Sequence, residues 1–180
     1  MKSILIIGLG LFGRHLFLKF VSLNNEVMIV DRDEAAVSAL ADNVTSAQIA
    51  DCTDENALRA LGVQNFDICF VCIGSDFASS LLVTSMLKDM GAAHIIAKAS
   101  RDIHAKLLLR NGADEVVYPE RDSAERLATR LSAQNVFDYI ELTDEYSIYE
   151  IPPLESWVGR SVRDVDVRNK YHLSLIHISE

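Results

Sequence analysis

Six residues, Gly8-Leu9-Gly10-Leu11-Phe12-Gly13, constrain this chain more than any other feature. They directly follow an apolar run, Ser3-Ile4-Leu5-Ile6-Ile7. Asp31 stands eighteen residues past Gly13, at the end of a second apolar run, Glu26-Val27-Met28-Ile29-Val30. Strand, G-x-G-x-x-G, helix, strand and acid at this spacing mark a dinucleotide-type site. Gly8 permits a tight turn, Gly10 lets backbone N–H groups approach a pyrophosphate, and Gly13 lets the helix pack close to the strand. The helix that begins at Leu11 and Phe12 offers unpaired N–H donors and a positive dipole end to phosphates. Asp31 is suited to accept hydrogen bonds from a ribose 2′-hydroxyl and would repel a 2′-phosphate. The competing reading is a nucleotide-free domain in which the glycines only make the turn.

The bulk properties narrow the class. With 180 residues, 49% of them hydrophobic, the chain can bury one core of ordinary domain size but not a dinucleotide domain plus a full substrate domain. The formal net charge is −9, from 26 acidic and 17 basic residues, which argues against nucleic acid as a partner and against a polybasic membrane anchor. No apolar run approaches the roughly 18–20 residues of a membrane span, and Met1-Lys2 leads straight into a strand without a signal peptide. A cytosolic protein is expected. Cys52, Cys69 and Cys72 are expected to be free thiols. Cys69 and Cys72 spell C-x-x-C, but on a strand residues three apart face opposite sides of the sheet, so they read as buried small apolar residues rather than a redox or metal pair. The five histidines are scattered, and no metal site is expected.

Short apolar runs alternate with helical patterns. Strands are expected at 3–7, 26–30, 46–50, 67–73, 94–98 and 115–118. Helices are expected near 11–23, 33–42, 55–61, 77–90, 101–111 and 121–140, with Gly62, Gly91 and Gly112 as left-handed residues just past three of them. The pattern implies an α/β fold: a Rossmann-like, doubly wound, parallel six-stranded sheet in the order 3-2-1-4-5-6. A ligand would then lie across the carboxyl ends of strands 1 and 4. Four loops converge there: Gly8–Gly13, Asp31-Arg32, Asp51-Cys52-Thr53 and Ile73-Gly74-Ser75-Asp76. Lys98 and Tyr118-Pro119-Glu120 are added by the segments after strands 5 and 6. Asp54 and Asp76 read better as helix caps, whereas Asp51, set back from its helix, reads better as a ligand contact.

Two helices carry more apolar surface than one sheet face needs. Phe77, Leu81, Leu82, Met86 and Met90 mark the helix at 77–90. Ala124, Leu127, Ala128, Leu131, Val136, Phe137 and Ile140 mark the one at 121–140. The second either packs on a partner or following unit, or folds back on its own sheet. Ser147-Ile148-Tyr149-Glu150-Ile151 alternates like a strand and opens a second unit.

Taken together, these segments resemble the RCK (regulator of K⁺ conductance) or TrkA-N domain family, and more narrowly the KtrA-like regulatory subunits of bacterial potassium uptake systems. The resemblance is carried by Ile7-Gly8-Leu9-Gly10 through Phe12-Gly13, Asp31, Asp51-Cys52-Thr53 and Phe70-Val71-Cys72-Ile73-Gly74. Further carriers are Ala97-Lys98-Ala99, Gly112-Ala113-Asp114, Pro119-Glu120-Arg121-Asp122 and Asp144-Glu145-Tyr146-Ser147-Ile148. Trp157-Val158-Gly159-Arg160-Ser161 and Arg168-Asn169-Lys170-Tyr171 resemble the start of the family's C-terminal ligand-binding lobe. The resemblance implies a Rossmann core over 1–120, a crossover and dimerisation helix over 121–145 and the start of a truncated lobe over 146–172. Residues 173–180 resemble the translation of a transposase sequencing adapter and are expected to be a non-native tail.

The function implied is that of a non-enzymatic, nucleotide-sensing subunit. It would bind NAD(H) or ATP/ADP, form a homodimer that assembles into a higher ring, and gate a membrane potassium-translocating protein from the inner face of the membrane. Many relatives carry arginine where this chain has Leu11, near a terminal phosphate. Either Arg14, one turn on, compensates, or the preference moves toward NAD(H) or ADP. The acid corresponding to Glu120 lies near the phosphates and needs a metal or a neighbouring arginine beside it. The rival readings are an NAD-dependent oxidoreductase fragment, for which Lys98 would be the one basic group near a hydride site, and an NADH-sensing redox module with another partner.

Overall fold

The computed structural model describes residues 1–40, 46–74, 76–132, 138–143, 146–150 and 152–174. The chain divides into two compact units, Met1–Asp122 and Ser123–Glu180.

The first unit is built on six short strands: β1 (Ser3–Ile7), β2 (Glu26–Asp31), β3 (Ser46–Ile49), β4 (Ile68–Val71), β5 (Ile95–Lys98) and β6 (Glu115–Val117). They form one sheet in the order β3-β2-β1-β4-β5-β6, and every adjacent pair is parallel. This is the expected doubly wound topology. Its chain reversal lies between β1 and β4, so the loops after these strands part and leave a crevice at their carboxyl ends.

Between the strands run α1 (Leu11–Ser22), α2 (Glu34–Ser38), α3 (Glu55–Ala60), α4 (Phe77–Asp89) and α5 (Asp102–Arg110). Both sheet faces are covered, which is why the central strands read as unbroken apolar runs. Ile4 and Ile6 pack with Phe17 of α1 and Val37 of α2 on one face. Leu5 and Ile7 pack with Leu58 of α3, Val83 and Leu87 of α4 and Leu108 of α5 on the other. Each such side chain contributes about 1.5–3 kcal/mol when fully buried. Cys69 and Cys72 fall in different clusters, as strand periodicity required, and all three thiols are free and buried. Burial pushes each of them up to about 12.

Asp33, Asp54 and Asp76 cap α2, α3 and α4 by accepting from Ala35, Asn56 and Ser79 backbone N–H groups. Gly62, Gly91 and Gly112 take positive φ at the expected places. The expected strand at 67–73 ends at Val71, because residues 72–74 leave the sheet for the crevice.

The final helix differs from expectation. α6 runs from Pro119 to Ser132 instead of 121–140, with proline at its first position where no N–H is needed. Asp138–Thr143 is a strand, β7, paired antiparallel to β8 (Tyr146–Glu150). Ile140 therefore lies on β7, while Val136 and Phe137 fall outside the described residues. Apolar residues at 136, 137 and 140 satisfy helical and strand periods alike, and for Ile140 the cross-strand partner Ile148 decided between them.

In the second unit the hairpin is followed by two short helices, α7 (Val162–Val165) and α8 (Val167–Tyr171). Val165 and Val167 are buried, and Trp157 meets Tyr171 edge-on at 5.0 Å. No helix among the described residues is long and apolar enough to cross a membrane.

Candidate functional site

A cavity of about 450 Å³ opens at the carboxyl ends of β1, β2, β3, β4 and β5. Its floor is the glycine loop, and the three glycines do different work. Gly8 has φ of +98°, and a Cβ there would come within 3.1–3.3 Å of the Cys72–Ile73 backbone. Gly13 lies so close to the loop that a Cβ would stand 2.0 Å from the Gly8 carbonyl oxygen. Both are demanded by the fold. Gly10 has φ of −63° and ψ of −176°, which other residues adopt freely, and a Cβ there would meet nothing within 4 Å. It lines the cavity, so the space beside it is open.

Asp31 ties the loop to β2. Its Oδ2 accepts from the Leu9 N–H at 2.6 Å and its Oδ1 from the Asp33 N–H at 2.9 Å. Each carboxylate oxygen keeps acceptor capacity beyond one bond, so the same group that orders the loop can also receive a hydroxyl donor. Asp51 accepts from both the backbone N–H and the hydroxyl of Thr53, which hold its carboxyl below the usual range. Asp76 accepts from the hydroxyl and N–H of Ser79, with the same effect. Asp76 thus caps α4, as expected, and also lines the cavity.

Most of the residues singled out from sequence line this cavity; Leu9, Gly13, Arg14, Tyr118, Pro119 and Glu120 do not. Gly8, Gly10, Leu11 and Phe12 come from the glycine loop and α1. Asp31, Arg32, Asp51 and Cys52 come from the β2 and β3 side, and Ile73, Gly74 and Lys98 from the β4 and β5 side. Gly13 serves the packing of α1. Arg14 does not line the cavity, and its Nε donates to the Leu9 carbonyl of its own loop at 3.0 Å; Leu11, which does line it, is 78% exposed. Glu120 meets Lys98 instead of the cavity wall, with Nζ donating to Oε1 at 2.6 Å, and this contact holds the Glu120 carboxyl below its usual range. Its ion-pair partner among the described residues is a lysine of its own chain.

Sequence reasoning missed the walls contributed by Ile7, Val30, Ala50, Cys72 and Ser79. The first three sit at or just past the carboxyl ends of parallel strands, which is the signal that would have found them. The described residues hold no group of three or more histidine, cysteine or acidic side chains able to bind a metal.

The TrkA-N domain family matches residues 4–119. Ktr system potassium uptake protein C of Bacillus subtilis (strain 168) is 40% identical over 177 residues, covering 98% of this chain and 80% of that protein. Ktr system potassium uptake protein A of the same organism is 38% identical over the same shares. Among solved structures, the GsuK channel bound to NAD aligns with a TM-score of 0.70 at 21% identity, over 93% of this chain and 31% of that one. GsuK bound to ADP aligns with a TM-score of 0.63 at 22% identity, over 72% and 34%. These two structures establish likeness of fold.

Proposed function

The chain belongs to the TrkA-N domain family, and from that premise we propose that it is a nucleotide-sensing regulatory subunit of a potassium uptake system. The observation that carries this reading is the cavity on the glycine loop, which has open space at Gly10 and a carboxylate, Asp31, already fixed beside it. In this reading the ribose of NAD(H) or an adenine nucleotide meets Asp31. Arg32, Asp51 and Cys52 flank the base side. The glycine loop and the first turn of α1 carry the diphosphate, and Ile73, Gly74 and Lys98 face the far end. Structures of similar fold are described bound to NAD and to ADP.

The protein acts by binding and not by catalysis. A nucleotide shifts the subunit between two arrangements only by the difference in its affinity for them. The working unit is a homodimer assembled into a larger ring on the cytosolic side of a membrane potassium-translocating protein. The exposed apolar stripe of α6 supports the dimer: Leu127 is 47% and Leu131 72% exposed, and no residue of that helix is buried. Residues 1–120, 121–145 and 146–172 are then nucleotide domain, dimer-forming connection and start of a second lobe.

Thermal unfolding with NAD⁺, NADH, ADP, ATP and NADPH tests the site. A ligand at a hundredfold excess over its Kd stabilises by about 2.7 kcal/mol, and NADPH is expected to be the weakest because Asp31 opposes a 2′-phosphate. If no nucleotide raises the midpoint, the reading is wrong. Restoration of potassium uptake in cells lacking their own regulatory subunit tests the partner.

A further inference from the structure

The cavity takes part of its wall from the head of α4. Asp76, which caps that helix, and Ser79 both line it, and the hydroxyl and N–H of Ser79 donate to the Asp76 carboxylate at 2.7 and 3.1 Å. Their neighbours in the same turn do not line it. Ser80 is fully buried, and Phe77, the first residue of α4, meets the ring of His104 on α5 with centroids 4.7 Å apart. A single helical turn thus forms cavity wall with two of its residues and covers an ionisable ring with a third.

The surroundings of that ring suit its neutral form. His104 is buried, and among the described residues neither ring nitrogen has a hydrogen-bond partner. The charge that acts on it is Arg101, a like charge at the head of its own helix. The acids nearby in the chain are engaged elsewhere: Asp102 with Tyr118 and Arg121, Asp76 with Ser79. From α4 it receives the uncharged ring of Phe77. Ser80, three residues on and so on the same side of that helix, adds a buried hydroxyl that also has no partner among the described residues. A protonated imidazole has two N–H donors and a charge to place. No carboxylate here answers it, so it must draw in water or the Ser80 hydroxyl, and either disturbs the contact between α5 and the head of α4.

We propose that His104 makes the nucleotide site sensitive to protons: when its ring takes up a proton, the first turn of α4 shifts and the cavity wall formed by Asp76 and Ser79 loses its fit to the nucleotide. The proposal rests on the nucleotide-binding reading above. Coupling of this kind is reciprocal. A nucleotide that fixes Asp76 and Ser79 makes His104 harder to protonate, and a proton on His104 makes the nucleotide easier to lose. Affinity is therefore complete above the pH at which His104 of the free protein titrates, and it declines as pH falls through that value. Burial, with a smaller contribution from Arg101, sets the value below the ordinary 6.5 of a histidine. Asp51 and Asp76 are held below the usual carboxylate range by their own hydrogen bonds, so they keep their charge while His104 titrates.

Two measurements test this. Calorimetric titration with NAD⁺ is run from pH 7.5 down to pH 5 on the wild-type chain and on His104→Leu. NAD⁺ is the probe because its bridging diphosphate carries no proton that titrates in this range, unlike the terminal phosphate of ADP. The wild type is expected to bind about threefold or more weakly at the acid end, and His104→Leu to hold its affinity throughout. Proton NMR then follows the His104 ring of the wild type with and without saturating NAD⁺. Its pKa is expected to lie about 0.5 or more lower in the complex, the same factor of three read from the proton's side. An equal decline in both chains, no decline in the wild type, or a His104 pKa that the nucleotide leaves in place overturns the proposal. The ring titration uses the wild type alone, so it decides the matter even if His104→Leu does not fold, and it is read with ADP if the chain binds ADP and not NAD⁺. If neither binds at pH 7.5, the nucleotide-binding reading falls and takes this one with it. If either binds and His104 is indifferent to it, the nucleotide-binding reading stands alone.

Discussion

Individual residues of the glycine loop separate folding from binding. Gly10→Ala adds a methyl group to open space in an allowed conformation, so the unfolding midpoint is expected to stay put or rise slightly. Nucleotide affinity is expected to fall sharply. Gly13→Ala forces a carbon against the Gly8 carbonyl oxygen and is expected to cost more than about 3 kcal/mol, as severe overpacking does. Circular dichroism melts beside ligand titrations check both; a Gly10→Ala chain that unfolds would refute the division of labour. Asp31 has two roles, because it orders Leu9 and faces the cavity. Asp31→Ala is expected to weaken NAD⁺ binding by roughly 1.5–3 kcal/mol, the value of hydrogen bonds to a charged acceptor. Calorimetry showing unchanged affinity would remove Asp31 from the site. The spacing of these residues was legible in the sequence. The double duty of Asp31 was not, because Leu9 and Asp31 meet only when β1 and β2 pair.

Among the elements, α5 carries a hidden ionisable group. His104 is 2% exposed, its ring lies 4.7 Å from that of Phe77 of α4, and neither ring nitrogen has a hydrogen-bond partner among the described residues. Burial, with a smaller contribution from Arg101, holds its pKa below the ordinary value. The unfolded chain therefore binds the proton more readily than the folded one. Stability is complete above the unfolded value of about 6.5 and is lost as pH falls through it toward the folded value. Denaturant midpoints measured between pH 7 and 5.5 are expected to fall in the wild type, by at most about 1.4 kcal/mol per pH unit from this group, and to fall less in His104→Leu. An identical slope in both would show that His104 does not set it.

The amphipathic character of α6 is an element-scale matter too. The stripe was legible, but its end was not: Ile140 belongs to a hairpin strand whose partner is β8. The interface test therefore moves to Leu127 and Leu131, which are exposed on the helix. Replacing both with Asp is expected to convert dimers to monomers in light scattering, with the melting of the first unit little changed. A wild type that already runs as a monomer at micromolar concentration would contradict the dimer.

For the whole molecule, the reading requires that ligand occupancy in the first unit be felt by a membrane partner, and energy sets the terms. To move a two-state subunit from one arrangement almost wholly to the other, nucleotides must differ in affinity between the states by about 5.5 kcal/mol. Potassium uptake measured with chains carrying Gly10→Ala is expected to lose its response to nucleotide while the partner remains bound. Uptake that still follows the nucleotide would mean that the signal enters elsewhere.

The sequence by itself determined the sheet, its strand order and the place of the crevice. Those follow from local periodicity, glycine spacing and the handedness of parallel crossovers, all of which act within a few tens of residues. Tertiary structure alone decided which polar groups share a charge. Lys98 and Glu120 are separated by α5 and β6 in the chain and meet only because β5 and β6 are neighbours. Arg14 could have faced the cavity from the same helix, yet the curl of the glycine loop brings the Leu9 carbonyl within its reach. Electrostatic partners are set by distance in space, and no spacing along the chain encodes that distance until the strands have paired.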